Sequence, residues 1–351
     1  MTIPSGGATV GDARAHEAAE AARAVPDVVT DASGDPLVPR LDPGTAAELG
    51  AGAPVLAFDV GGTDIKSALF DAEGVMLGLR RTPTPGPGAD LPERLIARLV
   101  ELGAQLREEH PGVDPAAVGL VVPGIVDEVA GVGVFASNMG WRDAPIRALA
   151  EEAFGLPVAF DHDVRTGGWA EHVLGGARPY PNSIVLIIGT GIAGALLLGG
   201  VPFTSGGYAG EVGHSPVADE PLCPCGARGC LEAIASAGAI ARRYTARSGI
   251  AVEGAKEVIA LAAEGDEAAA EVWDEALDAL ALSLAQLTAV IAPQAIVIGG
   301  GLSRAGGALF DELETRLRAR LSFHRIPDLV PAQLLGNAGI LGAALRARSL
   351  G

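Results

Sequence analysis

Between Gly210 and Glu232 the chain reads GEVGHSPVADEPLCPCGARGCLE. This stretch gathers all three cysteines, Cys223, Cys225 and Cys230, with His214, Glu211 and Glu232. Three thiolates and one imidazole fill the four positions of a tetrahedral zinc ion, and a site so closed is structural, with no position left for water. Eight residues separate His214 from Cys223, and four separate Cys225 from Cys230. The plain alternative is three buried, unreacted thiols, but cysteines this dense favour the metal. A catalytic thiol is disfavoured because no second histidine is placed to pair with it. A metal-fixed loop would also fix Glu211 and Glu232, and two ionised carboxylates accept hydroxyl groups. They suit a neutral polyol better than an anion; otherwise they support the metal ligands or face solvent. His214 can ligate through one ring nitrogen and donate to a ligand through the other.

Two further stretches carry polar chemistry on glycine turns. Asp59-Val60-Gly61-Gly62-Thr63 follows an apolar run, Val55 to Val60, and precedes another, Ile65 to Phe70. Strand, turn, strand makes a hairpin whose backbone N–H groups and Thr63 hydroxyl can cradle phosphate oxygens. Asp59 at its edge can hold Mg²⁺ or its water shell. An ordinary tight turn is the plain reading of the glycines. Gly189-Thr190-Gly191, between Ser183 to Ile188 and Ile192 to Leu198, repeats the pattern. The duplication predicts two similar domains facing one another, with both turns on one polyphosphate. Asp163 follows the strand Leu156 to Phe160 and opens a helix, Val164 to Leu174. It is either an N-cap or a group at the strand end where α/β proteins keep their chemistry. Asn138, in Asn138-Met139-Gly140-Trp141, is a turn cap in preference to a ligand contact. Gly299-Gly300-Gly301 ends the strand Ala295 to Ile298 and lets backbone approach a flat ligand.

The elements needed to position these groups are legible in outline. Helical spacing covers Pro92 to Glu109, Ala233 to Tyr244, Ala268 to Ile291, Ala308 to Leu321 and Gly339 to Arg348, and Val118 to Val122 is a buried strand. Strands alternating with helices predict an α/β class. The 351 residues are enough for two domains with real cores. Hydrophobic residues make up 49% and aromatics only 4%, so those cores are aliphatic, packed around 49 glycines. Residues 1 to 52 differ, with eight acids against three arginines, and are expected to be a disordered or loosely docked extension. A net charge of −18 argues against nucleic acid as a partner. Met1 to Val10 lacks the basic start and apolar run of a signal peptide, and the apolar runs are too short and glycine-broken for a membrane span. The expectation is a cytoplasmic protein.

In this order the motifs resemble the ROK family (repressors, open reading frames and sugar kinases), particularly its zinc-containing glucokinases. The resemblance covers about residues 54 to 349. Glu211-Val212-Gly213-His214 followed by Cys223-x-Cys225-Gly226-x-x-Gly229-Cys230-Leu231-Glu232 carries it, and the Asp59 to Thr63 turn, Pro123-Gly124, Asn138 to Trp141 and Gly189 to Gly191 match in order. It implies two actin-like (ribonuclease H-like) α/β domains around a central active-site cleft. The expected division is 53–161 plus 338–351 for the smaller and 162–337 for the larger, zinc-bearing one. Asp163 is then the general base. Asn138, His162, Glu211, His214 and Glu232 are sugar contacts. Gly61, Gly62, Thr63, Gly189, Thr190 and Gly191 hold phosphate with Asp59, and Gly300 receives the nucleotide. Structural Zn²⁺, Mg²⁺ with ATP, a hexose substrate (glucose at its 6-hydroxyl first) and a homo-oligomeric state, dimer or tetramer, are the implied companions. The chain departs from the family in reading His162-Asp163 for Asn-Asp, and Arg165 where Asn is frequent; the charge of His162 is expected to depend on pH. A sugar-responsive regulator is the other reading the resemblance allows. Regulators of the family add a winged helix, and residues 1 to 52 are too short and acidic to supply one.

Overall fold

The computed structural model describes residues 49–88, 90–136 and 139–350. The expected extension up to residue 48, and Asn138, lie outside the described residues.

Two five-stranded sheets organise the chain, and their strand orders correspond. The first runs β3 (Met76–Pro83), β2 (Asp64–Phe70), β1 (Val55–Val60), β4 (Ala117–Val122), β8 (Val158–His162). The second runs β11 (Val201–Pro202), β10 (Ile192–Leu198), β9 (Ser183–Ile188), β12 (Ala295–Gly299), β13 (Asp328–Pro331). In each, a hairpin pairs antiparallel with the central strand and two later strands add parallel to it. The duplicated strand–turn–strand pattern is therefore the start of a duplicated topology, that of two actin-like domains around a central cleft. The central strands are buried along nearly their whole length, as their continuous apolar runs require when both faces of a sheet are covered.

A small third sheet, β5 (Ile125–Asp127), β6 (Val132–Ala136) and β7 (Trp141–Ala144), packs in the first lobe. Trp141, expected in a turn, begins its last strand and is buried. Helices α1 (Leu91–Glu109) and α2 (Ile146–Phe154) cover the first sheet. Helix α3 (Asp163–Leu174) leaves the end of β8. The second lobe carries α4 (Leu231–Ala235), α5 (Ala237–Ser248), α6 (Ala255–Ala263), α7 (Glu267–Ile291) and α8 (Gly307–Arg320). The core of the second lobe is built on α7, whose Val272, Trp273, Leu277, Leu280 and Leu284 are buried against β9 and β12.

The single helix expected over Ala233 to Tyr244 is two helices. Ser236 between them is extended (ψ 153°), and its hydroxyl caps α5 by accepting the Ala239 N–H at 3.0 Å. A serine that can satisfy an orphan N–H starts a new helix more readily than it continues an old one.

The last helix, α9 (Ala338–Arg348), returns to the first lobe, with Ile340, Leu341, Ala343, Ala344 and Ala347 buried against β1 and β4. Its small residues answer a steric demand: any Cβ at Gly119 of β4 would collide with the backbone carbonyl of Ala343. Arg348 at its end reaches the carbonyls of Ala53, Gly50 and Asp71. Residues 49 to 52 are thereby tied to the first lobe, with Gly52 N–H donating to the Ala72 carbonyl at 2.9 Å. Among the described residues, no helix is long and apolar enough to cross a membrane.

Candidate active site

The β8–α3 corner holds Asp161, His162 and Asp163, and the fold gives the two aspartates opposite surroundings. Asp161 is 2% exposed. Its Oδ1 accepts from the His162 N–H at 2.7 Å, from Arg165 Nε at 2.9 Å and from the Arg165 terminal nitrogen at 2.6 Å; its Oδ2 accepts from Arg346 at 2.6 Å. Burial pushes this carboxyl up, but Arg165 and then Arg346 outweigh it and hold it below the ordinary range. Arg165 also reaches Glu128, just beyond β5, at 3.0 Å, and Arg346 lies over the Trp169 ring at 5.0 Å. The corner is thus bolted to α3, α9 and the small sheet.

Asp163 is pushed the other way, up to about 7, by burial first and by the charge of Asp59 second; the Val164 N–H (2.7 Å) and Lys66 pull less strongly downward. Neighbouring carboxyls driven apart in this manner mark an acid–base assignment. Asp161 is held in its ionised form by its arginines, while Asp163 is left to titrate near neutrality.

His162 is the N-cap of α3. Its Nδ1 accepts the Arg165 N–H at 3.2 Å, so the neutral ring carries its proton on Nε2, 3.4 Å from Asp163 Oδ1. Burial, then Arg165, lowers its pKa to about 4, against the pull of Glu211 and Asp161. Near neutrality the ring is therefore an uncharged donor, and the expected pH dependence of its charge falls well below neutral pH. An imidazole nitrogen serves as the cap and leaves the N–H free to orient a carboxylate or a hydroxyl.

Asp59 stands at the end of β1 and pairs with Lys66 of β2 at 2.8 Å. Sequence reasoning gave Lys66 no role; the antiparallel register places it directly opposite Asp59. The N-terminal end of α9 lies against this carboxylate, since a Cβ on Gly339 would come within 2.6 Å of Asp59 Oδ2. In the first turn Gly61 N–H bonds the Asp64 carbonyl at 2.8 Å and Thr84 donates to the Gly61 carbonyl at 2.7 Å, while Gly62 and Thr63 face solvent. In the second turn Gly189 N–H bonds the Gly191 carbonyl at 2.9 Å, and Thr190 is exposed. Gly300 has φ +81° and presses on the backbone of Ile188, at the foot of that second turn. No β-carbon fits there, so the middle glycine of the run is a requirement of the packing, while Gly301 has open space around it.

Glu211 precedes a single 3-10 turn, Val212–His214, and its charge reaches His162. The ligand atoms of His214, Cys223, Cys225 and Cys230 all lie within 4.8 Å of one another. Cys225 Sγ is 3.7 Å from Cys230 Sγ, and Cys223 Sγ is 3.8 Å from His214 Nδ1. Ligands held at about 2.3 Å from a tetrahedral zinc stand roughly 3.8 Å apart, so the donor set fits the metal. Burial holds the Cys223 and Cys230 thiols above the ordinary range, and the Ala227 N–H lowers Cys225. Glu232, two residues beyond Cys230, turns one oxygen away from the loop: Oε2 accepts the Ile192 N–H at 2.8 Å.

Of the expected site residues, His162, Asp163, Asp59 and Glu211 share one electrostatic neighbourhood. The four metal ligands form one cluster, and Glu232 and Gly300 both meet the second turn. The ROK family model matches residues 55–349. The chain belongs to the ROK family.

A glucokinase of Streptomyces coelicolor is 31% identical over 84% of this chain and 97% of its own length. An N-acetylmannosamine kinase of Escherichia fergusonii is 33% identical over 84% of this chain and 98% of its own. Among solved structures, the ROK hexokinase from Thermus thermophilus shares 35% identity with a TM-score of 0.73, covering 84% of this chain and 97% of that one. The chain is therefore a sugar kinase, with a sugar and ATP as substrates. Sequence reasoning had left out Lys66, Asp161, Arg346 and Glu128. Only Lys66 left a signal, as one of two lysines in the chain.

Proposed function

We propose that this ROK kinase transfers the γ-phosphoryl group of ATP to the 6-hydroxyl of glucose, with Asp163 as general base. The observation that carries this reading is the contrast at one corner between Asp161, bound by Arg165 and Arg346, and Asp163, which accepts the Val164 N–H and faces His162 Nε2 and whose carboxyl is raised to about 7. Asp163 takes the proton from the hydroxyl as the oxygen attacks phosphorus. The bond to the bridging oxygen breaks and ADP leaves. Little covalent work falls to the protein in such a transfer; it positions the groups and offsets charge. His162 Nε2–H and the carboxylates of Glu211 and Glu232 orient the sugar, with Asn138 as a further contact. The turns at Gly61–Thr63 and Gly189–Gly191 hold phosphates through backbone N–H groups, and Gly300 admits the nucleotide. Asp59 is the residue that would hold Mg²⁺, which neutralises charge on the phosphates when bound. Zn²⁺ held by His214, Cys223, Cys225 and Cys230 would shape the sugar-facing wall and do no chemistry. Residues 53–161 with 338–351 form the smaller lobe and 162–337 the larger. The two sheets and the return of α9 support that division.

The deciding experiment is a screen for sugar-phosphate formation over glucose, mannose, fructose, allose and N-acetylmannosamine, with ATP and polyphosphate as alternative donors. Phosphorus NMR of the product would locate the ester. The expected result is the highest kcat/KM with glucose and ATP and phosphate on the 6-oxygen. A higher value with the N-acetylated sugar overturns the substrate assignment. Sugar binding without turnover of any sugar would favour a sugar-responsive regulator built on the same fold.

A further inference from the structure

We infer that Glu232 is a positioning residue for the nucleotide phosphates, clamping the second glycine turn from the metal-bearing loop, in addition to facing the sugar. The inference rests on Gly189–Gly191 being a phosphate turn. Glu232 sits in the first turn of α4, two positions after Cys230. Its Oε2 accepts the Ile192 N–H at 2.8 Å. Ile192 is the residue that leaves the turn and begins β10. A side chain of any size on Gly191 would collide with that same carboxylate oxygen. The glycine of the turn thus makes room for the glutamate, and the glutamate fixes the exit of the turn.

The entrance of the turn is held from the same direction. The break at Ser236 presents the Ala237 N–H, which donates to the Gly189 carbonyl at 2.8 Å. Gly238 lies against the Thr190 carbonyl, where a Cβ would stand 3.1 Å away. Both ends of the turn are therefore fastened to the α4–α5 joint, and Thr190 alone of its three residues is exposed. The joint is fastened in turn to the cysteine loop: Leu231 N–H bonds the Ser215 carbonyl at 3.0 Å, and Cys230 is fully buried. One carboxylate oxygen of Glu232 is committed to the turn, which leaves the other for a sugar hydroxyl. A hydroxyl drawn to that oxygen pulls on the group that sets the turn, so sugar and nucleotide sites share a side chain.

The test is calorimetric titration of the full-length protein with a non-hydrolysable ATP analogue and Mg²⁺, in the absence of any sugar. Glu232→Ala and Glu232→Asp both lose the acceptor at Ile192, the second while keeping the charge. Each should weaken the analogue about tenfold, the size of one lost charge-assisted hydrogen bond. Glu232→Gln keeps an oxygen for the Ile192 N–H and should stay within about twofold of the parent. Should the alanine variant fail to fold, the aspartate and glutamine pair decides by itself. A glutamate that acts on the sugar alone would leave all of these analogue affinities unchanged while sugar binding falls, and that result overturns the inference. A parent protein that binds no nucleotide overturns the reading of the turn itself, and this inference with it.

Discussion

The β8–α3 corner and the cysteine loop are both polar, and they are stabilised by different means. At the corner, Asp161 and Arg165 are 2% and 3% exposed and satisfy one another, with Arg346 and Glu128 closing the network. Breaking a buried pair of this kind leaves an uncompensated charge, so the corner is stiff without help from a ligand. The cysteine loop joins the core of the second lobe through Val212 and Leu231 at its ends, with Val217 packed against it, while around the thiols Cys223, Cys230 and Ala233 make only a small separate cluster. A few backbone bonds stitch it, such as Cys223 N–H to the Ala227 carbonyl at 2.7 Å and Val217 N–H to the Gly229 carbonyl at 2.8 Å. In the proposed reading a metal does for this loop what hydrophobic burial does for a domain. In the proposed assignment the base sits where the fold alone is rigid, and recognition of the sugar sits where rigidity would depend on an ion.

The largest expected effect separates the two regions through the base. Asp163→Asn should lower kcat by a factor of about 10³ or more while the equilibrium sugar affinity stays within roughly threefold. Stopped-flow turnover beside calorimetric sugar binding reads both, and near-parental kcat would remove Asp163 from the chemistry. The same variant should be more stable than the parent at pH 8. The folded pKa of Asp163 is raised to about 7. The stabilising share of this group is therefore present in full below the unfolded pKa and is lost as pH rises through 7. An uncharged Asn avoids that loss, and a rise in Tm of roughly 2–4 °C at pH 8, shrinking toward pH 4, is the expected sign.

Metal removal is next in size and strikes the other region. Strong chelation, or Cys230→Ser, should weaken glucose binding by about a hundredfold and lower Tm by roughly 10 °C or more. Elemental analysis should find one zinc per chain before treatment. If sugar affinity survives the loss of zinc, the loop is rigid by itself and the contrast between the regions fails.

These regions also differ in how much of them the sequence revealed. Cysteine is scarce in this chain, and its three copies lie within eight residues, so the metal cluster is legible from local spacing. The two hairpin turns are equally local, and their repetition pointed to a duplicated fold. Asp163 is visible as a carboxylate between a strand and a helix, but what sets it apart from Asp161 is not. Arg346 lies 185 positions from Asp161 and Glu128 lies 37 from Arg165, and pairing at such range leaves no period to detect. The small sheet β5–β7 was missed because its strands are three to five residues long and interrupted by glycine and charge. The helix break at Ser236 escaped for a related reason: the apolar spacing continues across it, and only the hydroxyl cap and the tie to Gly189 interrupt the backbone.

The smallest expected effect tests how the first turn acts on the corner. With the base raised to about 7, kcat/KM for the sugar should climb about tenfold per pH unit below 7 and level off above it, because only ionised Asp163 accepts the proton. Part of that elevation comes from the charge of Asp59, second only to burial. Asp59→Asn removes the charge but keeps the shape, so the acid limb of the profile should move to lower pH even as phosphate handling deteriorates. At pH 7 the move changes the ionised fraction of Asp163 by no more than about twofold. It is therefore read from the position of the limb rather than from the absolute rate. A limb that stays in place would mean that burial alone raises the base, and that the first turn and the corner are electrostatically independent.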